Sequence, residues 1–281
     1  MQNYILTLRC PDGPGITHAI TGALLEIGAN ILEQAQFTEP SENLFCNRTR
    51  FETEIDDLDR VRAAIESATA HLNPAITLRN ARDPRRILVM VSKQDHCLVD
   101  LLYRRQQGEL HVEIPVIVSN HPDCAPTAAA HGIPFVHLPV TPETKPQQEQ
   151  RLRELMLEYR IDAIVLARYM QVLSDELCAE LEGRAINIHH SFLPGFKGAR
   201  PYHQAYARGV KIIGATAHFV SADLDEGPII EQDVARVTHA QDAEDLAEIG
   251  RDVERVVLAR AVQLYGADRV MLTGNRTVVF A

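Results

Sequence analysis

The sequence predicts two consecutive α/β modules: a small βαββαβ module over residues 1–80 and a doubly wound, mostly parallel α/β module over residues 87–281. Three observations carry this reading. Short alternating runs and helix-spaced apolar residues succeed one another through the first eighty positions. The polar, proline-containing stretch NARDPRR (80–86) then interrupts the pattern and marks residues 81–86 as a linker. Beyond it, continuous apolar runs such as Ile87-Leu88-Val89-Met90-Val91 recur between helical stretches, as strands buried on both faces of a parallel sheet do.

In the first module, Tyr4 to Leu8 alternates like a half-buried strand. The run Pro11-Asp12-Gly13-Pro14-Gly15 breaks the chain before Ile16, Ile20, Leu24 and Ile27, which share one helical face. Gly28-Ala29-Asn30 ends that helix, because Gly and Asn tolerate positive φ. Strands are expected over 31–38 and 43–52, a helix over 58–72 and a last strand over 75–79. In the second module, strands are expected at 87–91, 116–118, 135–136, 161–167 and 185–188, with helices over 97–106 and 147–159. Ligands of such sheets gather where strand ends and their loops meet.

Composition narrows the function. The 38 acidic residues against 28 basic ones give a net charge of -10. That balance opposes non-specific attraction to nucleic acid or to anionic membranes. No apolar run approaches the roughly 18 residues of a membrane span. The N-terminus lacks the pattern of a secretory signal, so a cytoplasmic location is expected. Cys10, Cys46, Cys97, Cys124 and Cys178 are dispersed without CxxC spacing and read as reduced thiols in the core. With neither HExxH nor a cysteine pair at ligand spacing, no metal site is expected.

The chemistry concentrates in the segment from Ala185 to Pro194. Asn187 and His189 stand two apart at the end of an apolar strand, so their side chains face the same way. An amide and an imidazole on a buried strand need something to satisfy them. Alternation turns His190 to the other face, as an ordinary packed residue. Asp225 follows thirty-eight residues after Asn187, within HFVSADLDEG (218–227).

NIHHSFLPGFKG (187–198), followed at this interval by HFVSADLDEG, resembles the signature of the folate-dependent formyltransferase family. The resemblance implies that Asn187, His189 and Asp225 form the catalytic group acting on 10-formyltetrahydrofolate. The residue types suit the reaction. Attack on a formamide carbonyl creates an oxyanion, which needs donors already aimed at it. The Asn187 amide can supply one donor and protonated His189 another, while Asp225 pairs with the histidine and orients the nucleophile.

Members of this family pass the formyl group either to an amine or to water. Those that use an amine place a glycine-rich phosphate-binding loop after the first strand of the domain. Here that position reads Ser92-Lys93-Gln94-Asp95-His96-Cys97-Leu98, with no glycine and with Asp95 opposing an anion. The runs from Ser92 to Arg104, Ala167 to Gln171, Phe196 to Tyr202 and Asp252 to Phe280 resemble the hydrolytic branch. With the first module included, the likeness covers essentially the whole chain. The expected reaction is hydrolysis to formate and tetrahydrofolate, without cofactor or metal.

By the same likeness the folate lies against Met170, Gln171, Val172 and Leu173 and against Ser221, Ala222, Asp223 and Leu224. Arg168, Lys197, Arg200, Tyr202 and His218 then support the site or close off the space of an amine acceptor. In the first module, Arg9 to Ile16 together with Gly28 to Ile31 resembles an ACT domain, which has the ferredoxin-like fold. That resemblance implies regulation by an amino acid bound near Asp12, Gly13, Gly15, Ile16 and Asn30, and a homo-oligomer, but does not identify the effector, with glycine, methionine or none left open. Two rival readings stay open at this level: formyl transfer to an amine, and a catalytically silent folate-binding or amino-acid-sensing protein.

Overall fold

The computed structural model describes residues 1–195 and 201–281. The chain forms two units, one of residues 1–84 with 268–281 and one of residues 85–267. The boundary near 84 falls inside the expected linker. The C-terminal boundary differs from the expectation of a second module running to 281, because the last fourteen residues pack with the first unit.

The first unit follows the order β1 (Gln2–Pro11), α1 (Ile16–Glu26), β2 (Asn30–Glu39), β3 (Leu44–Thr53), α2 (Leu58–Thr69) and β4 (Ala75–Asn80). Its sheet has the order β2-β3-β1-β4 and is antiparallel throughout. Tyr4, Leu6, Leu8 and Cys10 share one face of β1 and pack with Ile16, Ile20 and Leu24 of α1 and Val61 and Ile65 of α2. Gly15 caps α1 at φ 89°, a left-handed conformation that glycine adopts without a Cβ penalty. Asp57 caps α2, accepting from the backbone N–H groups of Asp59 and Arg60.

The second unit comprises β5 (Arg85–Val91), α3 (His96–Gln106), β6 (Val112–Ser119), α4 (Ala125–Ala130), β7 (Phe135–His137), α5 (Lys145–Glu158), β8 (Ala163–Leu166), α6 (Asp175–Glu180), β9 (Ala185–His189), α7 (Pro201–Arg208), β10 (Ile212–Phe219), β11 (Ile229–Arg236) and α8 (Ala243–Gly266). The sheet order is β11-β10-β9-β8-β5-β6-β7. Strands β5 to β9 pair in parallel, as their unbroken apolar runs require. β10 and β11 add two antiparallel pairings that the apolar runs do not announce. Their sequences are interrupted by Gly214, Thr216 and His218 and by Glu231, Gln232 and Asp233. One core of this unit sets Leu88, Met90, Val116 and Val118 of the sheet against Leu152 and Leu155 of α5 and Leu177 of α6.

After Ala267 the chain forms the hairpin β12 (Val270–Thr273) and β13 (Arg276–Val279). Met271, Val278 and Phe280 pack on Cys46, with Ala35 and Leu44 beside them. Cys46 lies on the face of the first sheet opposite its helices, one residue out of phase with Phe45 and so turned the other way. The last residues therefore cover the back of the first sheet. All five cysteines are buried and unpaired. No helix among the described residues is long and apolar enough to cross a membrane.

Candidate active site

Strand order places the site. From β5 the sheet extends through β6 and β7 on one side and through β8 and β9 on the other, so a crevice opens where the chain reverses direction. Ser92, just past β5, ties the neighbouring loops together. Its Oγ donates to Asn120 Oδ1 at 2.7 Å and accepts from the Met170 backbone N–H at 2.9 Å. A cleft of about 280 Å³ lies there.

Asn187, His189 and Asp225 all line this cleft. Asn187 and His189 lie on β9, and register sets Asn187 directly opposite His218 of β10. His189 Nδ1 is 3.1 Å from Asp225 Oδ1, with both side chains about 5% exposed. Burial by itself would raise the Asp225 carboxyl, but the hydrogen bond and charge of His189 hold it below its ordinary value. With Nδ1–H spent on the carboxylate, Nε2 is the ring nitrogen left for chemistry, and it has no protein partner.

His218 fixes the asparagine. Its Nδ1 sits 2.8 Å from the Phe219 carbonyl, an acceptor, so Nδ1 carries the proton. Burial, the largest cause, lowers the His218 pKa and keeps the ring neutral, so Nε2 accepts from Asn187 Nδ2 at 3.2 Å. The second N–H of the amide remains for the cleft. Asp225 has φ 59°, a left-handed conformation that Asp tolerates better than most residues. Two residues on, a Cβ at Gly227 would stand 1.7 Å from the Phe219 carbonyl oxygen and 3.2 Å from His218 Nδ1. Only glycine lets the turn that carries Asp225 lie this close to β10.

Met170, Gln171, Val172, Leu173, Ser221, Ala222 and Leu224 also line the cleft. Leu173 is buried in the core, whereas Met170, Val172 and Leu224 are 57–59% exposed and give the cleft an apolar rim. Asp223 is not among the lining residues. Its carbonyl accepts from Ser221 Oγ and from the Glu226 N–H, so it shapes the turn. His190 departs from the sequence expectation. It lies one residue past the end of β9, where strand alternation no longer applies, and it borders the cleft. Its ring packs on those of His189 and Tyr202, and burial pushes its pKa down to about 3.

The supporting residues meet at a carboxylate that composition and periodicity did not single out, Glu254 of α8. It is 1% exposed. Its oxygens lie 2.9 Å from His96 Nε2, 2.6 Å from the donating Tyr202 hydroxyl and 3.4 Å from Arg168 Nε. Burial alone would raise the Glu254 carboxyl, yet these neighbours hold it below its ordinary value. His96, Cys97 and Glu254 stand close enough together to hold an ion. However, Arg168, His96 and Tyr202 already answer the carboxylate, and burial keeps the Cys97 thiol protonated. Lys197 and Arg200 lie outside the described residues.

The effector residues expected in the first unit are placed as follows. Ile16 is in the core, Gly15 caps α1 in open space, and Gly13 likewise meets nothing. Asp12 accepts from Thr38, and exposed Asn30 donates to Glu52.

Known proteins are similar to this chain in sequence and fold. The family described as formyl transferase matches residues 85–262, nearly the whole of the second unit. A formyltetrahydrofolate deformylase of Synechocystis is 48% identical, covering 100% of both chains. A solved formyltetrahydrofolate deformylase of Burkholderia mallei superimposes with TM-score 0.96 at 49% identity, again covering 100% of both. Glycinamide ribonucleotide transformylase 1 of Symbiobacterium toebii reaches TM-score 0.66 at 29% identity, covering 70% of this chain and 94% of its own. With close identity along its full length and the formyl transferase match on its larger unit, the chain belongs to the formyltetrahydrofolate deformylase family.

Proposed function

We propose that the protein hydrolyses 10-formyltetrahydrofolate to formate and tetrahydrofolate, with Asn187, His189 and Asp225 as the catalytic group. The observation that carries this reading is the Asp225–His189 pair, whose second ring nitrogen borders a cleft with an apolar rim. Asp225 accepts a hydrogen bond from Nδ1–H, which leaves Nε2 to take a proton from water as the water oxygen bonds to the formyl carbon. The resulting imidazolium and the Asn187 amide then donate to the oxyanion. As the carbon–nitrogen bond breaks, Nε2 returns its proton to the folate N10. The formic acid so formed gives up its proton and leaves as formate.

The apolar rim of Met170, Val172 and Leu224 suits the flat face of the pterin, with Gln171, Leu173, Ser221, Ala222 and Asp223 shaping the loops around it. His218 holds Asn187, and Arg168 and Tyr202 brace the far wall, with Lys197 and Arg200 assigned supporting roles on resemblance alone. Residue chemistry supplies base, acid and oxyanion donors, so the reaction needs no cofactor or metal. The first unit is read as an ACT module that binds an amino acid, glycine or methionine, near Asp12, Gly13, Gly15, Ile16 and Asn30, in a cytoplasmic homo-oligomer. Its βαββαβ order and sheet order support that reading. The formate released would supply purine synthesis and balance the one-carbon folate pools.

Incubation with 10-formyltetrahydrofolate, with and without glycinamide ribonucleotide, tests the proposal. Equal formate release in both supports hydrolysis. Product that forms only with the acceptor overturns it in favour of transfer.

A further inference from the structure

Among the described residues, two of those lining the cleft carry a buried side-chain nitrogen without a protein hydrogen-bond partner: His189 Nε2 and Arg168 Nη1. The histidine nitrogen has its role in the proposed reaction. The arginine nitrogen has none yet. A buried guanidinium N–H without a partner is costly, so the position is informative.

The surroundings of Arg168 fix it firmly. Its backbone adopts φ 65°, which is unfavourable for a long side chain. Its carbonyl accepts from the Ser92 N–H at 3.3 Å, across the crevice between β8 and β5. Nε and Nη2 donate to Gln94 Oε1 at 3.2 and 3.0 Å, and Nε lies 3.4 Å from Glu254. Glu254 is held in turn by His96 and Tyr202. The side chain is 10% exposed. Gln94 and Glu254 thus hold one edge of the guanidinium and leave Nη1 unclaimed.

We infer that Arg168 Nη1 and His189 Nε2 together bind the product formate, Nε2 having taken the proton of the nascent formic acid, and before it the oxygens of the tetrahedral intermediate. This rests on the hydrolytic reading above. A carboxylate offers two oxygens, one for Nη1 and one for the protonated Nε2, and hydrogen bonds between charged partners are the stronger ones. Arg168 cannot lose its proton at any working pH, so Nη1 remains a donor throughout the cycle. Neutral His190 beside it adds no competing charge. Glu254 offsets part of the guanidinium charge, which keeps the product from being held too tightly to leave.

Formate inhibition of the wild type and of Arg168→Gln tests this, with acetate at equal concentration as the control for ionic strength. Formate is expected to inhibit the wild type more strongly than acetate does. In Arg168→Gln, formate inhibition should weaken by about tenfold or more, the loss of a charged hydrogen bond, while tetrahydrofolate affinity stays within about twofold. Should Arg168→Gln fail to fold, Arg168→Lys keeps the charge without the guanidinium fork and should show the same loss of preference for formate over acetate. A wild type that releases formate yet is no more sensitive to it than to acetate overturns this inference alone. Equal formate inhibition in wild type and variant does the same. A wild type that releases no formate overturns the functional reading instead.

Discussion

Asp225 and His190 show how residues in one cleft are held in different charge states. Asp225 is kept ionised by His189, whereas His190 is kept neutral by burial and, next, by the charge of Arg168. Asp225→Asn keeps the size of the side chain and removes the charge that orders the His189 ring. Turnover is expected to fall about a hundred- to ten-thousandfold, the range for losing acid–base assistance, with folate binding retained. Steady-state kinetics beside a tetrahydrofolate titration would measure both, and near-normal turnover would remove Asp225 from the catalytic group.

For His190 the expected effect is on stability. The unfolded imidazole gains its proton near pH 6.5, while the folded one resists until about pH 3. Between those values the unfolded state binds more protons, so stability declines as pH falls through this window. His190→Gln cannot take up that proton. Its urea midpoint should therefore depend less steeply on pH between 6.5 and 4 than that of the wild type. Parallel profiles for the two proteins would show that the ring titrates normally.

At the scale of elements, the site depends on how closely β9, β10 and the 220–227 turn approach one another. The antiparallel register puts His218 beside Asn187, and Gly227 brings the turn down on the Phe219 carbonyl. Gly227→Ala should displace that turn. A destabilisation of about 1–3 kcal/mol is expected from the overpacking, with loss of turnover larger than the stability change explains. Thermal unfolding and kcat on the same preparation would separate the two. Gly250 makes a matching accommodation on α8, where a Cβ would lie 2.1 Å from the Tyr202 ring. Its absence lets the Tyr202 hydroxyl reach Glu254 one turn further along the helix.

At the scale of the whole molecule, the chain builds its first unit from both ends. The hairpin β12–β13 covers Cys46 with Met271, Val278 and Phe280. It also brings Asp268 to Arg79, and Arg269 to Glu33 at 2.7 Å. Removing residues 268–281 should strip that face. Cys46, now fully buried, should become reactive towards a thiol reagent in the native protein, and the first unit should lose stability. Unchanged labelling of Cys46 would mean that the hairpin contributes little cover.

Much of this was legible along the chain. The alternation of short strands and helices located the elements of the first unit and the five parallel strands of the second, because local periodicity follows burial. Asn187 and His189 were readable as a pair from strand geometry, and Asp225 through the family spacing. Other features required the tertiary structure. β10 and β11 were not visible because antiparallel strands near an edge keep polar residues that break an apolar run. His190 borders the cleft as well, because β9 stops one residue short of it and strand alternation does not govern its direction. Glu254 joins Arg168, His96 and Tyr202 across separations of 52 to 158 residues. The sequence by itself therefore determined the elements and the chemical types at the site, since both are written in local spacing. Only the tertiary structure decided what holds those groups, and where the last hairpin packs, since buried charges and covered faces take their partners from distant parts of the chain.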